Sequence, residues 1–214
     1  MTRMATVADV LRVSPADNGR RLALDEFYEC EEEEGYRYEL ARGVLEVSEV
    51  PNDPHGLLVD AFASVVYAYR GLHPGRIHRS GGAAEFRLWL PGMISGRNPD
   101  YAVVLRGTPE DRRGRRSPSL VVEVVSEGAE ARHRDYVTKS EEYLVYGLLE
   151  YWIIDPIERK VTVLVRNGDT WAESVFVEGQ IARGVVLPGF ALAVIDLWAA
   201  IVDVPDYGAE IPGA

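Results

Sequence analysis

Cysteine is all but missing from this 214-residue sequence. Cys30 stands alone, so no internal disulfide can form, as is usual in reducing compartments. Histidine is scarce, and four histidines with a single cysteine offer no zinc-type set of ligands. No apolar run approaches the roughly 20 residues that span a bilayer as a helix. The segment Met1 to Asp17 lacks the basic start and apolar stretch of a secretory signal. No membrane association is expected, and the expected location is the cytoplasm. No G-x-G-x-x-G or P-loop pattern occurs, and Ser126 lacks the G-x-S-x-G context of a hydrolase elbow. Positive charge is also short: 23 Lys and Arg face 34 Asp and Glu, a net charge of -11. That argues against a protein that holds nucleic acid by bulk electrostatics.

What is present is an ordinary globular composition, 47% hydrophobic, with charge placed unevenly. Glu29 and Glu31 to Glu34 are acidic, while Arg106, Arg112, Arg113, Arg115 and Arg116 form a basic loop cluster. Solvated surface is the plain reading of both. The other is that Arg112, Arg113, Arg115 and Arg116 touch a phosphate backbone.

The hydropathy pattern predicts one α/β domain over 21–204, an extension over 1–20 (a short helix and a loop) and a loose tail over 205–214. Leu24 to Glu32 reads as a short helix. Tyr36 to Ala41 and Val44 to Glu49 alternate around Arg42-Gly43, which predicts a β-hairpin. Helical spacing of Leu58, Phe62, Val65, Val66 and Tyr69 predicts a helix over 55–71. Strands are expected at 76–80 and 84–90, then a glycine-containing loop over 91–98. Asp100 to Leu105 and Leu120 to Val125 are valine-rich runs typical of buried central strands. A helix follows over 132–146, stopped by Gly147. Further strands are expected at 151–154, at 160–165 and 170–177 as a hairpin, and near Val185, with a short helix after Ile195. This order implies a mixed central sheet flanked by helices.

The most informative anomaly is chemical. Glu123 sits inside the apolar strand LVVEVVS, and Asp100 opens the strand before it. Carboxylates are rarely buried without a partner or a metal. Two carboxylates on neighbouring strands suffice for magnesium, which prefers oxygen ligands and keeps several waters. A carboxylate buried against an arginine is the alternative. In the following helix Asp135 and Lys139 stand four apart and share a face, as either an exposed ion pair or a lysine turned toward the two acids. His55 starts a helix on the face of Leu58 and Phe62. It is either a helix-start histidine bonded to a loop or a ligand or proton carrier at a pocket edge.

The segments PDYAVVL, PSLVVEVVSEG, RDYVTKSEEYLVYG and LEYWIIDP, in this order and spacing, resemble the Uma-two restriction-endonuclease family of the PD-(D/E)XK nuclease superfamily. YELARGVLEVS and Pro54-His55 also resemble it, and the likeness runs from about Tyr36 to about Val165. The resemblance implies a restriction-endonuclease-like core and a magnesium-dependent endonuclease acting on DNA, with manganese as an alternative ion. Asp100 and Glu123 would be catalytic and hold the metal. The superfamily's usual lysine position is Val125 here, and Lys139 on the next helix would take its work. Glu39 and His55 would be outer or additional ligands. The resemblance does not separate RNA from DNA. The alternative function is a nuclease-fold module that binds or assembles without cutting, and a homodimer through a sheet edge or the last hairpin is expected in either case.

Overall fold

The computed structural model describes residues 10–112 and 114–203. The first nine residues of the expected extension, Arg113 and the expected tail over 205–214 lie outside the described residues. In chain order the elements are β1 (Arg12–Val13), α1 (Leu24–Glu29), β2 (Glu31–Glu32), β3 (Tyr36–Ala41), β4 (Val44–Glu49), α2 (Asp53–Leu72), β5 (Ile77–Gly82), β6 (Leu88–Leu90), β7 (Ser95–Arg97), β8 (Tyr101–Leu105), β9 (Leu120–Val124), α3 (Ala129–His133), α4 (Lys139–Tyr146), β10 (Glu150–Asp155), β11 (Lys160–Asn167), β12 (Thr170–Val177), β13 (Ile181–Ala182), β14 (Leu192–Ala193) and α5 (Val194–Ala199). They form two compact units. One comprises residues up to Val50 together with Trp89–Arg97, and the other Pro51–Leu88 with the chain from Asn98 onward.

The smaller unit is built on a sheet of order β4-β3-β7-β6. Its hairpin has the boundaries expected from the sequence, with Arg42 and Gly43 both at positive φ (49° and 79°), as the favoured two-residue hairpin turn requires. Val13, Leu22, Phe27, Tyr38, Leu40 and Leu45 form its core. The expected helix over 24–32 ends at Glu29, because Glu31–Glu32 pairs in parallel with Arg12–Val13. The expected loop over 91–98 contains a strand, β7, at whose Gly96 an added Cβ would lie 2.8 Å from the Phe27 ring. Glycine is therefore required where this backbone meets the core.

The larger unit is a six-stranded mixed sheet of order β12-β11-β10-β9-β8-β5. β9 and β10 run parallel, joined by the crossover that carries α3 and α4, and the other neighbouring pairs are antiparallel. Alternation decides what each strand shows to each face. Tyr101 and Val103, Leu120, Val122 and Val124, and Trp152 and Ile154 pack in one core with Leu58, Phe62, Val66 and Tyr69 of α2 and with Leu197 and Trp198 of α5. Phe62 is its hub, with ring centroids 5.5–5.9 Å from Trp152, Phe190 and Tyr101. Residues of opposite parity, among them Asp100, Glu123, Val125, Tyr151 and Ile153, turn to the other face.

Two local expectations differ. The strand expected over 84–90 shrinks to Leu88–Leu90. No strand forms at Val185, whose side chain is exposed. The N–H groups of Val185 and Val186 donate instead to the buried carboxylate of Glu150, at 2.5 and 2.9 Å, so they are not available to a ladder.

Candidate active site

Asp100, Glu123, Lys139 and His55 all belong to the larger unit, and two strands and two helices deliver them. The β8–β9 register pairs Tyr101 with Val122 and Ala102 with Val121. Continued by one residue, it sets Asp100 opposite Glu123. The Asp100 carboxylate bonds across the gap, with Oδ2 accepting from the Val124 N–H at 2.8 Å. Glu123 Oε1 accepts from the Tyr143 hydroxyl at 2.6 Å. Its Oε2 lies 3.0 Å from Lys139 Nζ. Val125, where the superfamily's lysine would stand, is fully buried and apolar. The ammonium therefore reaches Glu123 from the helix.

The helical crossover is irregular where it matters. Between α3 and α4 the chain makes a π turn over Arg134–Thr138, and the Lys139 N–H bonds back to Arg134 O, five residues earlier. Such a turn adds a residue to a helix and is frequent at functional sites. Here it brings Asp135 and Lys139 inward together, 3.8 Å apart, with 1% and 3% of their side chains exposed. The exposed ion pair that their spacing suggested is therefore a buried one. Both ends of the crossover are anchored. Buried Asp155 accepts from Arg132 Nη1 at 2.6 Å, from the Tyr136 hydroxyl at 3.0 Å and from two backbone N–H groups of the following turn. Trp171 Nε1 donates to Ser140 O at 3.0 Å. Tyr151 is fully buried, and its hydroxyl donates to Asp135 O at 2.9 Å.

Electrostatics follow from burial. Desolvation pushes the Asp135 carboxyl above its usual range, opposed by Lys139 and Arg134 and reinforced by Asp100. Burial first, then the charges of Glu123, Asp135 and Asp100, hold the Tyr151 phenol well above its usual value, so it is a neutral donor. Two carboxyl groups thus lie beside one ammonium, and Asp100 adds negative charge near them.

His55 stands at the start of α2, where Asn52 caps the helix by accepting from the His55 backbone N–H at 3.2 Å. Its side chain is 5% exposed. Nε2 lies 3.1 Å from Asp100 Oδ2, yet neither ring nitrogen makes a hydrogen bond to a described residue. Asp135 Oδ2 is similarly buried without a hydrogen-bond partner among the described residues. No three described His, Cys, Asp or Glu side chains close into a metal cage. The donor chemistry nonetheless fits a divalent ion that keeps part of its water: carboxylate oxygens on two paired strands, with unpartnered buried polar atoms beside them.

The remaining expected residues lie elsewhere. Glu39 belongs to the smaller unit, where Arg97, fully buried, donates to it at 3.3 Å and bridges to Glu46. In the basic loop Arg115 pairs with Asp111 at 2.9 Å and Arg116 with Glu110 at 2.6 Å, and Arg112 is exposed. Part of that charge is thus neutralised within the loop. Asp135 was visible in the sequence as the partner of Lys139, and Tyr143 as an aromatic of the same helix near Lys139. Their contacts with Lys139 and Glu123 add them to the site. No described helix is long and apolar enough to cross a membrane.

The profile of the Uma2 family, described as "Putative restriction endonuclease", matches residues 24–195. A solved structure of "a putative nuclease belonging to DUF820" from Anabaena variabilis is similar in fold, with a TM-score of 0.67 and 19% identity, over 85% of this chain and 99% of that one. No curated protein matches the chain.

Proposed function

Because the chain belongs to the Uma2 family of restriction-endonuclease-like proteins, we propose that it is a metal-dependent nuclease hydrolysing phosphodiester bonds, with DNA as its substrate. The observation that carries this reading is the buried Lys139 ammonium, 3.0 Å from Glu123, on the face of the sheet that Asp100 shares. A lysine beside two strand-borne acids is the charge arrangement phosphoryl transfer needs, although this lysine comes from a helix.

Asp100 and Glu123 would hold magnesium or manganese, which lowers the pKa of a bound water and neutralises charge on the scissile phosphate. The chain's own groups do the rest. Lys139 offers N–H donors to orient an attacking water and to meet the negative charge that grows on the phosphate oxygens. Tyr143 fixes one oxygen of Glu123 and Lys139 the other, so the carboxylate cannot turn freely. The Val124 N–H restrains Asp100 in the same way. Asp135, 3.8 Å from the Lys139 ammonium, helps hold it in place. Burial of these groups keeps bulk water from screening their fields.

The test is cleavage of plasmid DNA with added magnesium or manganese, by the wild type and by Asp100→Asn, Glu123→Gln and Lys139→Met variants whose fold is checked by circular dichroism. Cleavage lost in all three supports the reading. Acid variants that cut as the wild type does would refute the site. A wild type that binds DNA without cutting would favour the binding-module alternative.

A further inference from the structure

We infer that His55 and Asp100 form a mixed nitrogen–oxygen seat for the divalent cation, so that the site takes manganese, or a later first-row divalent ion, in preference to magnesium. This deepens the metal-dependent reading above and rests on it.

The starting point is a buried imidazole whose ring nitrogens make no hydrogen bond among the described residues. A polar group taken out of water without a partner costs free energy, and native structures contain few such groups. His55 has two unpartnered ring nitrogens among the described residues at 4% exposure. Its position is not loose. The Asn52 cap holds its backbone, and the residues following it on the same helix face, Leu58 and Phe62, are fully buried.

The neighbour of Nε2 narrows the explanation. Asp100 Oδ2 is 3.1 Å away, which is a hydrogen-bond length. The direction fails, because a hydrogen on Nε2 lies in the ring plane and misses that oxygen. Asp100 Oδ2 already accepts from the Val124 N–H, which fixes it where it is. A hydrogen bond would have aligned the ring with the carboxylate. Two donors of one metal shell have the opposite geometry: their lone pairs converge on a third point, and at ligand distances near 2.1 Å they stand about 3 Å apart. The neutral imidazole is the metal-binding form, and Nε2 is the nitrogen that lies beside Asp100.

An imidazole in the shell changes which ion is preferred. Magnesium favours oxygen ligands and gives up water reluctantly. Nitrogen donors favour manganese and the later ions of its row. The magnesium expected from the sequence rests on the carboxylates alone, and His55 shifts the balance away from it.

The test reads the metal directly. Pulsed electron paramagnetic resonance on the full chain loaded with manganese should show nitrogen modulation from a coordinated imidazole. Titration calorimetry should give tighter binding of manganese than of magnesium by about tenfold or more. In His55→Gln, with its melting curve as a check on folding, the modulation should vanish and the manganese preference should collapse. A wild-type spectrum without nitrogen modulation overturns the inference without recourse to any variant. So does equal binding of the two ions, or a preference that His55→Gln leaves intact. The nuclease reading fails separately: nitrogen coordination in a chain that cuts no nucleic acid refutes that reading and leaves the His55 seat standing.

Discussion

Replacing Lys139 with methionine should show how tightly the site is bound to the stability of the fold. The ammonium is 3% exposed and lies 3.0 Å from Glu123 Oε2 and 3.8 Å from Asp135 Oδ1. Methionine fills much of the volume and removes the charge, leaving two buried carboxylates facing each other's field. Breaking a buried pair by removing one partner costs about 3–5 kcal/mol, a large share of the roughly 5–15 kcal/mol that holds a domain folded. For a chain of this length the melting temperature should fall by roughly 10 °C or more. The deficit should shrink toward pH 5, where the stranded carboxyls take up protons instead of remaining charged. Adding Glu123→Gln should then restore much of the loss, because the second change removes the charge that the first left uncompensated. The assay is urea unfolding of the wild type, both singles and the double at pH 7.5 and 5. A Lys139→Met protein within about 1 kcal/mol of the wild type at pH 7.5, or a double variant no more stable than Lys139→Met, would refute the coupling inferred from these distances.

Two further outcomes follow from the same cluster. Tyr143→Phe removes the 2.6 Å hydrogen bond to Glu123 and should cost about 1.5–3 kcal/mol, as bonds to charged groups do, with slower cleavage; a variant unchanged in both unfolding and cleavage would mean that this bond does not restrain Glu123. Asp135→Asn should flatten the pH dependence of stability. Burial raises the folded-state pKa of Asp135, so from about pH 4 upward the folded chain keeps a proton that the unfolded chain has lost, and stability falls as pH rises through that window; urea midpoints at pH 4.5, 6 and 7.5 that fall equally in the variant would show that the slope comes from other groups.

The two strand acids were legible because a charge inside a valine run stands out against the pattern of a buried strand. Asp100 and Glu123 needed no more than their neighbours, and the β8–β9 register sets them opposite each other. The inward Lys139 was one of two readings of the spacing, and the family likeness favoured it over the exposed pair that an Asp–Lys spacing of four ordinarily gives. Its burial depends on a π turn, and helical periodicity counts α turns alone. His55 was visible as a helix-start residue, but its lack of hydrogen bonds depends on what packs around it. Long-range bonds hid the rest. The amides of Val185 and Val186 are taken by Glu150, 35 and 36 residues away, so an apolar stretch that resembled a strand does not form one. The chain leaves the smaller unit after Val50 and returns to it over Trp89–Arg97. A strand such as β7, Ser-Gly-Arg, carries no alternation to announce that return.

The π turn has a consequence that can be tested by removing one residue. Its two ends are held independently: Arg132 and Tyr136 by Asp155, and α4 by the contacts of Lys139 and Tyr143 with Glu123. An α-helix advances about 100° per residue. Deleting Val137, which is partly exposed on the outer face, would let this stretch relax to regular α-helix. The helix could then satisfy the Asp155 anchor or the Glu123 contacts but not both, because one set would be rotated off its partners by about that angle. The first helical stretch is held by three contacts, Arg132 and Tyr136 to Asp155 and Arg132 to Glu158 at 2.6 Å, against two to Glu123, so Lys139 and Tyr143 are the groups that should be displaced. The expected protein keeps its far-ultraviolet circular dichroism, melts at a lower temperature and loses cleavage as fully as Lys139→Met. If the deletion variant cut DNA at the wild-type rate, the π turn would not be what positions the lysine, and the site would have to work without the ammonium beside Glu123.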